Sequence, residues 1–219
     1  VRSSLTRRTI PALIAVFFIV SAAAARYSGG TGEPNDPYQI ATAADLIALG
    51  ETPADYGKHF ILTADIDLDP NLPGRRVFDK AVIAPEPIGQ FHGVCFTGVF
   101  DGNGHKVSHM TIIGGGYLGL FGCLSYPASI SNLRLDAAEI SGSDYYVGAL
   151  VGYNEGSWLY SEGSWLSERC ATVANCDSTG SVSAGSWAGM VGGLVGYNAG
   201  NMTHCYSGAV VTGGDAVGG

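Results

Sequence analysis

Charge is scarce in this chain. Asp, Glu, Lys and Arg make up 14% of its 219 residues, and the basic ones number 11 against 19 acidic. A net charge of −8 argues against nucleic acid or an anionic membrane surface as a partner, because both are held mainly by clustered Lys and Arg. Catalytic signatures are missing as well. His59, His92, His105, His109 and His204 are dispersed, with no His-Glu-x-x-His of a zinc protease. No Cys-x-x-Cys pair or Cys/His spacing suggests a zinc site. Gly29-Gly-Thr-Gly32 lacks the Lys-Ser/Thr that completes a phosphate loop, and no Gly-x-Ser-x-Gly elbow has a partner His and Asp. Long apolar runs are absent too. Ile10 to Val20 spans about 11 residues, short of the roughly 20 a helix needs to cross a bilayer.

Glycine is what the chain has in quantity, 33 residues within a composition that is still 46% hydrophobic. That balance excludes a disordered Gly-rich linker. With many Val, Ile, Tyr and Thr, it fits an all-β chain of short strands and tight turns. The glycines also recur in order. Gly148-Ala-Leu-Val-Gly-Tyr-Asn154 returns as Gly192-Gly-Leu-Val-Gly-Tyr-Asn198, and a shorter Gly119-Leu-Phe-Gly122 precedes both. Gly148, Gly152, Asn154, Gly192, Gly196 and Asn198 therefore define the repeat. A unit of a few tens of residues predicts a solenoid of stacked coils. Connections that run from coil to coil make every sheet parallel. Inward Leu, Val, Ile and Phe then stack on their counterparts about 4.8 Å away. Tyr and Asn at the Tyr-Asn-x-Gly corner are placed to form ladders.

Four stretches follow from this pattern. Residues 1–25 have the layout of a secretory signal peptide: basic Arg2, Arg7 and Arg8, an apolar core, and the small residues Ser21 to Ala25. Pro11 and the strongly apolar core suit the general secretory route better than the twin-arginine route that Arg7-Arg8 raises. Without those three arginines, 8 basic residues face 19 acidic ones, a charge of −11. Residues 26–58 read as an N-terminal lead-in and cap. A Gly/Pro-rich loop leads to a short helix over Thr42–Leu49, capped by Thr42 and closed by Gly50, which covers the open end of the solenoid. Residues 59–142 read as the first coils. They hold a strand over 59–68, a Pro-rich loop from Asp69 to Pro87, and a strand–turn–strand over 96–107 built on Asp101-Gly-Asn-Gly104. Residues 143–219 carry the long repeats, interrupted by an insertion at 157–174, and their abrupt end suggests a piece of a longer polypeptide.

The repeats and the turns that follow them, Cys176–Gly180 and Cys205–Gly208, resemble the GLUG-motif proteins of bacteria. Upstream, Asp36-Pro-Tyr-Gln-Ile40, Ala44-Asp-Leu46, Leu62-Thr-Ala-Asp-Ile-Asp-Leu68 and Phe100-Asp-Gly-Asn-Gly-His105 match the N-terminal portion these proteins often carry. The resemblance implies an all-β, right-handed parallel β-helix with pectin-lyase-like architecture, secreted or anchored at the cell surface. Such repeats occur in large adhesin-like proteins and beside the protease domain of immunoglobulin A peptidases, and in the latter the resemblance implies an accessory role with the catalytic domain elsewhere.

Candidate sites are few. Asp65, Asp67 and Asp69 alternate along one strand and share a face, so calcium could bind there; the favoured reading is a solvated strand edge with Asp groups capping turns. Asp101 and His105 suit a turn better than acid–base work. Glu139, Asp144 and Glu155 are scattered acids with no matched pair. Trp158, Tyr160, Trp165 and Trp187, with Tyr145 and Tyr146 close by, are candidate ligand contacts, because aromatic rings stack on sugar faces. The alternative is that Trp165 and Trp187 cover the solenoid flank. An odd count of five cysteines leaves at least one without a partner in the chain. Cys176 and Cys205 fall at matching repeat positions and suit interior stacking, while a Cys170–Cys176 disulfide remains open. The expectation is a secreted or surface β-solenoid for adhesion, extracellular binding or structure, without catalysis. No cofactor is expected beyond calcium, and extracellular polysaccharide or a surface protein is the expected partner. A polysaccharide lyase or glycosidase, or the accessory stalk of a secreted protease, are the alternatives.

Overall fold

The computed structural model describes residues 26–85, 94–161, 164–185, 189–213 and 216–218. The signal-like segment 1–25 and Trp187 lie outside the described residues. The protein is mostly β. It opens with β1 (Tyr38–Ile40), helix α1 (Ala43–Gly50), β2 (His59–Leu62) and β3 (Ile66–Asp67). Then come β4 (Val99–Asp101), β5 (Lys106–Ser108), β6 (Thr111–Gly114) and β7 (Phe121–Leu124). β8 (Ser129–Ser131), β9 (Arg134–Gly142), β10 (Val147–Gly148) and β11 (Val151–Asn154) follow. β12 (Gly156–Ser161) and β13 (Ser164–Cys170) precede β14 (Thr172–Ala174), β15 (Asp177–Ala184), β16 (Val191–Gly192) and β17 (Val195–Asn198). β18 (Asn201–Thr203), β19 (Tyr206–Ser207), β20 (Val210–Thr212) and β21 (Val217–Gly218) end the order.

Strands distant in sequence lie side by side in parallel. One sheet runs β1-β2-β4-β8-β14-β18, and a second runs β3-β5-β9-β15-β19, with β6 beside β9 and β20 beside β15. Two narrower sheets run β7-β11-β17 and β10-β16-β21. All these pairings are parallel. The exception among the sheets is the antiparallel hairpin β12-β13.

Register explains the core. In the first sheet Phe60 lies opposite Phe100, Phe100 opposite Ile130, Ile130 opposite Val173, and Val173 opposite Met202. In the second, Ile112, Ile140, Val182 and Val211 form a similar row. Phe60, Phe100, Ile112, Ile130, Ile140, Val173 and Val182 are buried in one cluster. Each strand is only a few residues long, so no strand buries much alone. A parallel stack makes the apolar face continuous, and at roughly 25 cal/mol per Å² of apolar surface removed from water that continuity supplies most of the stability.

α1 begins with a reciprocal cap: Thr42 Oγ1 accepts from the Asp45 amide at 3.1 Å, and Asp45 Oδ2 accepts from the Thr42 amide at 3.0 Å. Leu46 and Leu49 of α1 join the core. Among the described residues, no helix is long and apolar enough to cross a membrane.

Several expectations need adjustment. The lead-in contributes β1 to the first sheet, so the stack starts at Tyr38 and not at His59. The stretch 59–68 is two strands in two different sheets, because the chain turns a corner between Leu62 and Ile66. The Pro-rich loop is not all surface: Phe78, Ala81, Val82, Ile83 and Ala84 are buried, and Phe78 and Ile83 bridge in parallel to Ile112 and Phe121. The insertion is shorter than 157–174, since Thr172–Ala174 is already a rung pairing with Ser129–Ser131 and Asn201–Thr203. Cys95 and Cys123 form a disulfide with Cα atoms 4.8 Å apart, a pairing the spacing alone did not reveal. Cys176 is buried as a free thiol and Cys205 packs half-buried against the core.

Candidate functional site

Corners decide what faces solvent. Asn132, Asn175 and His204 each follow a strand of the first sheet and adopt left-handed backbone, with φ of 55°, 53° and 53°. Asn tolerates that region. Here its amides also bond between coils: Asn175 Nδ2 donates to Asn132 Oδ1 at 3.2 Å, and Asn132 Nδ2 donates to Asp101 Oδ1 at 2.9 Å. A second amide rung joins buried Asn154 to exposed Asn198, where Asn154 Nδ2 donates to Asn198 Oδ1 at 2.6 Å. Asn154 is fully buried and its own Oδ1 has no partner among the described residues.

Another corner is built from tyrosine. Tyr117 and Tyr146 have φ of 54° and 65°, a region that costs a non-glycine residue about 1–3 kcal/mol. The two corners stack, with the Tyr117 amide donating to the Tyr145 carbonyl at 2.9 Å and the Leu118 amide to the Tyr146 carbonyl at 3.0 Å. Glycine makes room for them. A Cβ on Gly152 would sit 2.7 Å from the Tyr117 carbonyl carbon, and one on Gly196 would sit 2.8 Å from that of Tyr146. A Cβ on Gly148 would likewise run into the Val151 carbonyl oxygen, and one on Gly192 into that of Val195. The repeat glycines thus mark close approaches of backbone to backbone.

Beside this corner run β7, β11 and β17, where Cys123, Tyr153 and Tyr197 are in register. The rings meet across the two columns. Tyr153 and Tyr197 stack at 5.0 Å with planes 12° apart. Tyr146 sits at the centre, 4.8 Å from Tyr117, 5.1 Å from Tyr153, 5.5 Å from Tyr197 and 6.0 Å from Tyr145. Such contacts contribute about 0.5–1.5 kcal/mol each beyond area, which offsets the corner strain. Tyr145 is 53% exposed and the other four are half-buried. None of the five hydroxyls has a hydrogen-bond partner among the described residues, whereas Tyr27 donates to Asp55 at 2.9 Å and Tyr56 to the Gly50 carbonyl at 2.8 Å. Burial pushes the Tyr117 and Tyr153 phenols above their ordinary range, with Asp144 adding to Tyr117 and Glu155 to Tyr153. Both stay neutral and able to donate at any physiological pH.

The other expected residues fall elsewhere. Trp158 and Tyr160 lie on β12 and Trp165 on β13, with Tyr160 paired to Trp165 in the hairpin register. The hairpin leaves the stack at Gly156, just past Tyr153. Asp65, Asp67 and Asp69 point away from the core, and each is taken by a separate partner. Asp65 Oδ1 lies 3.0 Å from His105 Nδ1 and accepts from the Lys106 amide at 3.2 Å. Asp67 Oδ1 accepts from the Asp69 amide at 2.9 Å and lies 3.0 Å from His109 Nδ1. Asp69 Oδ1 accepts from the Asn71 amide at 2.9 Å. No group of three His, Cys, Asp or Glu side chains converges as a metal centre among the described residues. Asp101 turns its carboxylate to the Asn103 amide at 2.8 Å and to Asn132, in keeping with a corner role. Sequence reading named Tyr145 and Tyr146 but not Tyr117, whose partner at the corner is set by the coil above.

The architecture and its surface define a stack of parallel strands carrying an outward aromatic strip. Residues 143–183 match the family described as Glug, the GLUG motif, so this stretch of the chain carries that motif. It is similar to halomucin of Haloquadratum walsbyi, 30% identical over 173 residues, a match covering 76% of this chain and 2% of the relative. It is also similar to a protein of Evansella cellulosilytica described as a Gly-rich membrane protein, 37% identical over 142 residues, covering 59% of this chain and 15% of the relative. The chain therefore spans a small part of the curated relatives it matches. A crystal structure from Bacteroides ovatus, described as an immunoglobulin A1 protease, shares the fold with a TM-score of 0.52 at 18% identity, over 84% of this chain and 50% of that one.

Proposed function

We propose that this chain is a stretch of right-handed parallel β-helix in an exported, cell-surface protein, acting as an extracellular binding or structural module without catalysis of its own. The observation that carries the reading is the succession of parallel, in-register rungs across four sheets, which presents side chains at a fixed spacing along one axis. Right-handed winding is the hand that parallel crossovers take in nearly every case. A relative named halomucin and another described as a membrane protein support a place at the cell surface. The tyrosine corner forms the binding side in this reading. The hairpin bearing Trp158, Tyr160 and Trp165 extends it, with Trp187 as a further contact. The fold likeness to a chain described as a protease favours one second reading, an accessory stalk of a larger enzyme.

Small-angle scattering on the purified chain, with surface labelling of the cells that make it, tests the proposal. A rod-shaped particle and a label accessible on intact cells are expected. A round particle, or protein confined to the cell interior, would refute it.

A further inference from the structure

We infer that the strip formed by Tyr117, Tyr145, Tyr146, Tyr153 and Tyr197 binds an uncharged polysaccharide chain laid along the stack. The inference rests on the extracellular reading above and gives that surface a ligand class.

Three observations meet on the strip. The first is spacing. Tyr153 and Tyr197 repeat at 5.0 Å with nearly parallel rings, because each belongs to a successive coil in register. A pyranose residue in an extended chain advances by a similar distance, so one phenol meets each sugar along the axis. The second is chemistry. Five neighbouring hydroxyls have no hydrogen-bond partner among the described residues, yet their rings are fixed by ring–ring contacts. Fixed phenols cost little conformational entropy on binding and offer an apolar body with a polar tip. A sugar matches both parts, with C–H groups for the ring carbon left exposed and hydroxyls that donate and accept. A purely apolar partner would bury the phenol oxygens unpaired, at a penalty. The third is charge. The ionised groups acting on Tyr117 and Tyr153 are Asp144 and Glu155, with no cation among them. That environment repels uronate or sulfated chains and leaves neutral glycans as the fit.

The choice of residue at the corner points the same way. Asn132 and Asn175 hold the equivalent left-handed backbone at another corner with little strain. Tyr117 and Tyr146 hold it despite their bulk, and outliers of this kind cluster at binding surfaces.

The test is affinity electrophoresis of the full chain through gels containing xylan, mixed-linkage β-glucan, glucomannan or polygalacturonate, with calorimetry on any glycan that retards it. Retardation by at least one neutral glycan and none by polygalacturonate is expected. Tyr145→Ala removes the most exposed ring, which touches one neighbour in the cluster, and should weaken binding at least fivefold with an unchanged melting temperature. The double variant Y153F/Y197F keeps the stack and loses two hydroxyls; at least threefold weakening is expected. Absence of binding to every neutral glycan overturns the inference, as does equal retardation by polygalacturonate. Unchanged affinity in both variants also overturns it, and so does capture of a proline-rich peptide by the strip in place of a glycan. None of these outcomes alters the scattering profile or the surface label, so failure here is separable from failure of the module reading.

Discussion

Replacing Gly152 with alanine presses one methyl group against three backbone atoms. The added Cβ would lie 2.7 Å from the Tyr117 carbonyl carbon, 2.8 Å from the Gly122 carbonyl oxygen and 2.9 Å from the Leu118 nitrogen. Backbone atoms cannot rotate aside as a side chain can, so one coil must move off the other. That movement stretches the bonds from the Leu118 amide to the Tyr146 carbonyl and from the Gly148 amide to the Leu118 carbonyl, both 3.0 Å. Overpacking of this kind costs about 1–3 kcal/mol, and the rigid neighbours put Gly152→Ala near the upper end. For a chain of this size that is a fall of roughly 5–10 °C in melting temperature. Gly115→Ala is the control, because a Cβ there meets nothing within 4 Å. Its stability should stay within about 0.5 kcal/mol of the parent or rise slightly. Thermal and urea unfolding followed by far-ultraviolet circular dichroism measures both. If Gly152→Ala melts with the parent, or Gly115→Ala falls as far, the argument from coil-to-coil contact is wrong.

Reducing the Cys95–Cys123 disulfide, which spans 28 residues, should cost about 3–4 kcal/mol by loop-closure entropy; a urea midpoint unmoved by reductant would refute this. Acid should weaken the stack. Asp65 is held below the ordinary carboxylate range by His105 and the Lys106 amide, and Asp136 by Lys106 and Thr179. Their contribution is complete above that range and lost as the pH falls through their lowered values. Melting temperatures from pH 6 to 2 should therefore drop at the acid end, and drop less in Asp65→Asn and Asp136→Asn; parallel curves for all three proteins would contradict it. Burial pushes the Cys176 thiol up to about 12, so at pH 8 it stays protonated and shielded. Iodoacetamide should modify half-exposed Cys205 in the folded protein and Cys176 only after denaturation, as read by peptide mass spectrometry; equal rates would show the rung to be open.

The repeat was legible in the sequence because the same close approaches recur at Gly148 and Gly192 and at Gly152 and Gly196. Where backbone passes backbone, only glycine fits, and Gly148, Gly152, Gly192 and Gly196 print that constraint at intervals. The start of α1 was legible for a local reason, since Thr42 and Asp45 satisfy each other within one turn. Phe78 and Ile83 were not legible. Each joins the stack through a single bridge, and one residue has no alternation to betray a strand. Nor was the Cys95–Cys123 pair, whose closeness comes from Phe96 meeting Leu124 across coils. The Tyr-Asn-x-Gly corner suggested a ladder, and Tyr153 over Tyr197 forms one. The contribution of Tyr117 depends on a left-handed corner one coil away, which no local pattern encodes.

The hairpin β12-β13 shows how freely this scaffold can be edited. Asn154 stays in register with Leu124 and Asn198, and Thr172 stays in register with Ser129 and Asn201. The equivalent gap is bridged by Ser125–Ala128 in the neighbouring coil and by Ala199-Gly200 in the next. One splice point thus accepts segments of very different length while the rungs on either side keep their places, and lengthening a flexible connection adds little entropic cost. New surfaces could be grafted there without redesigning the rows of side chains beneath.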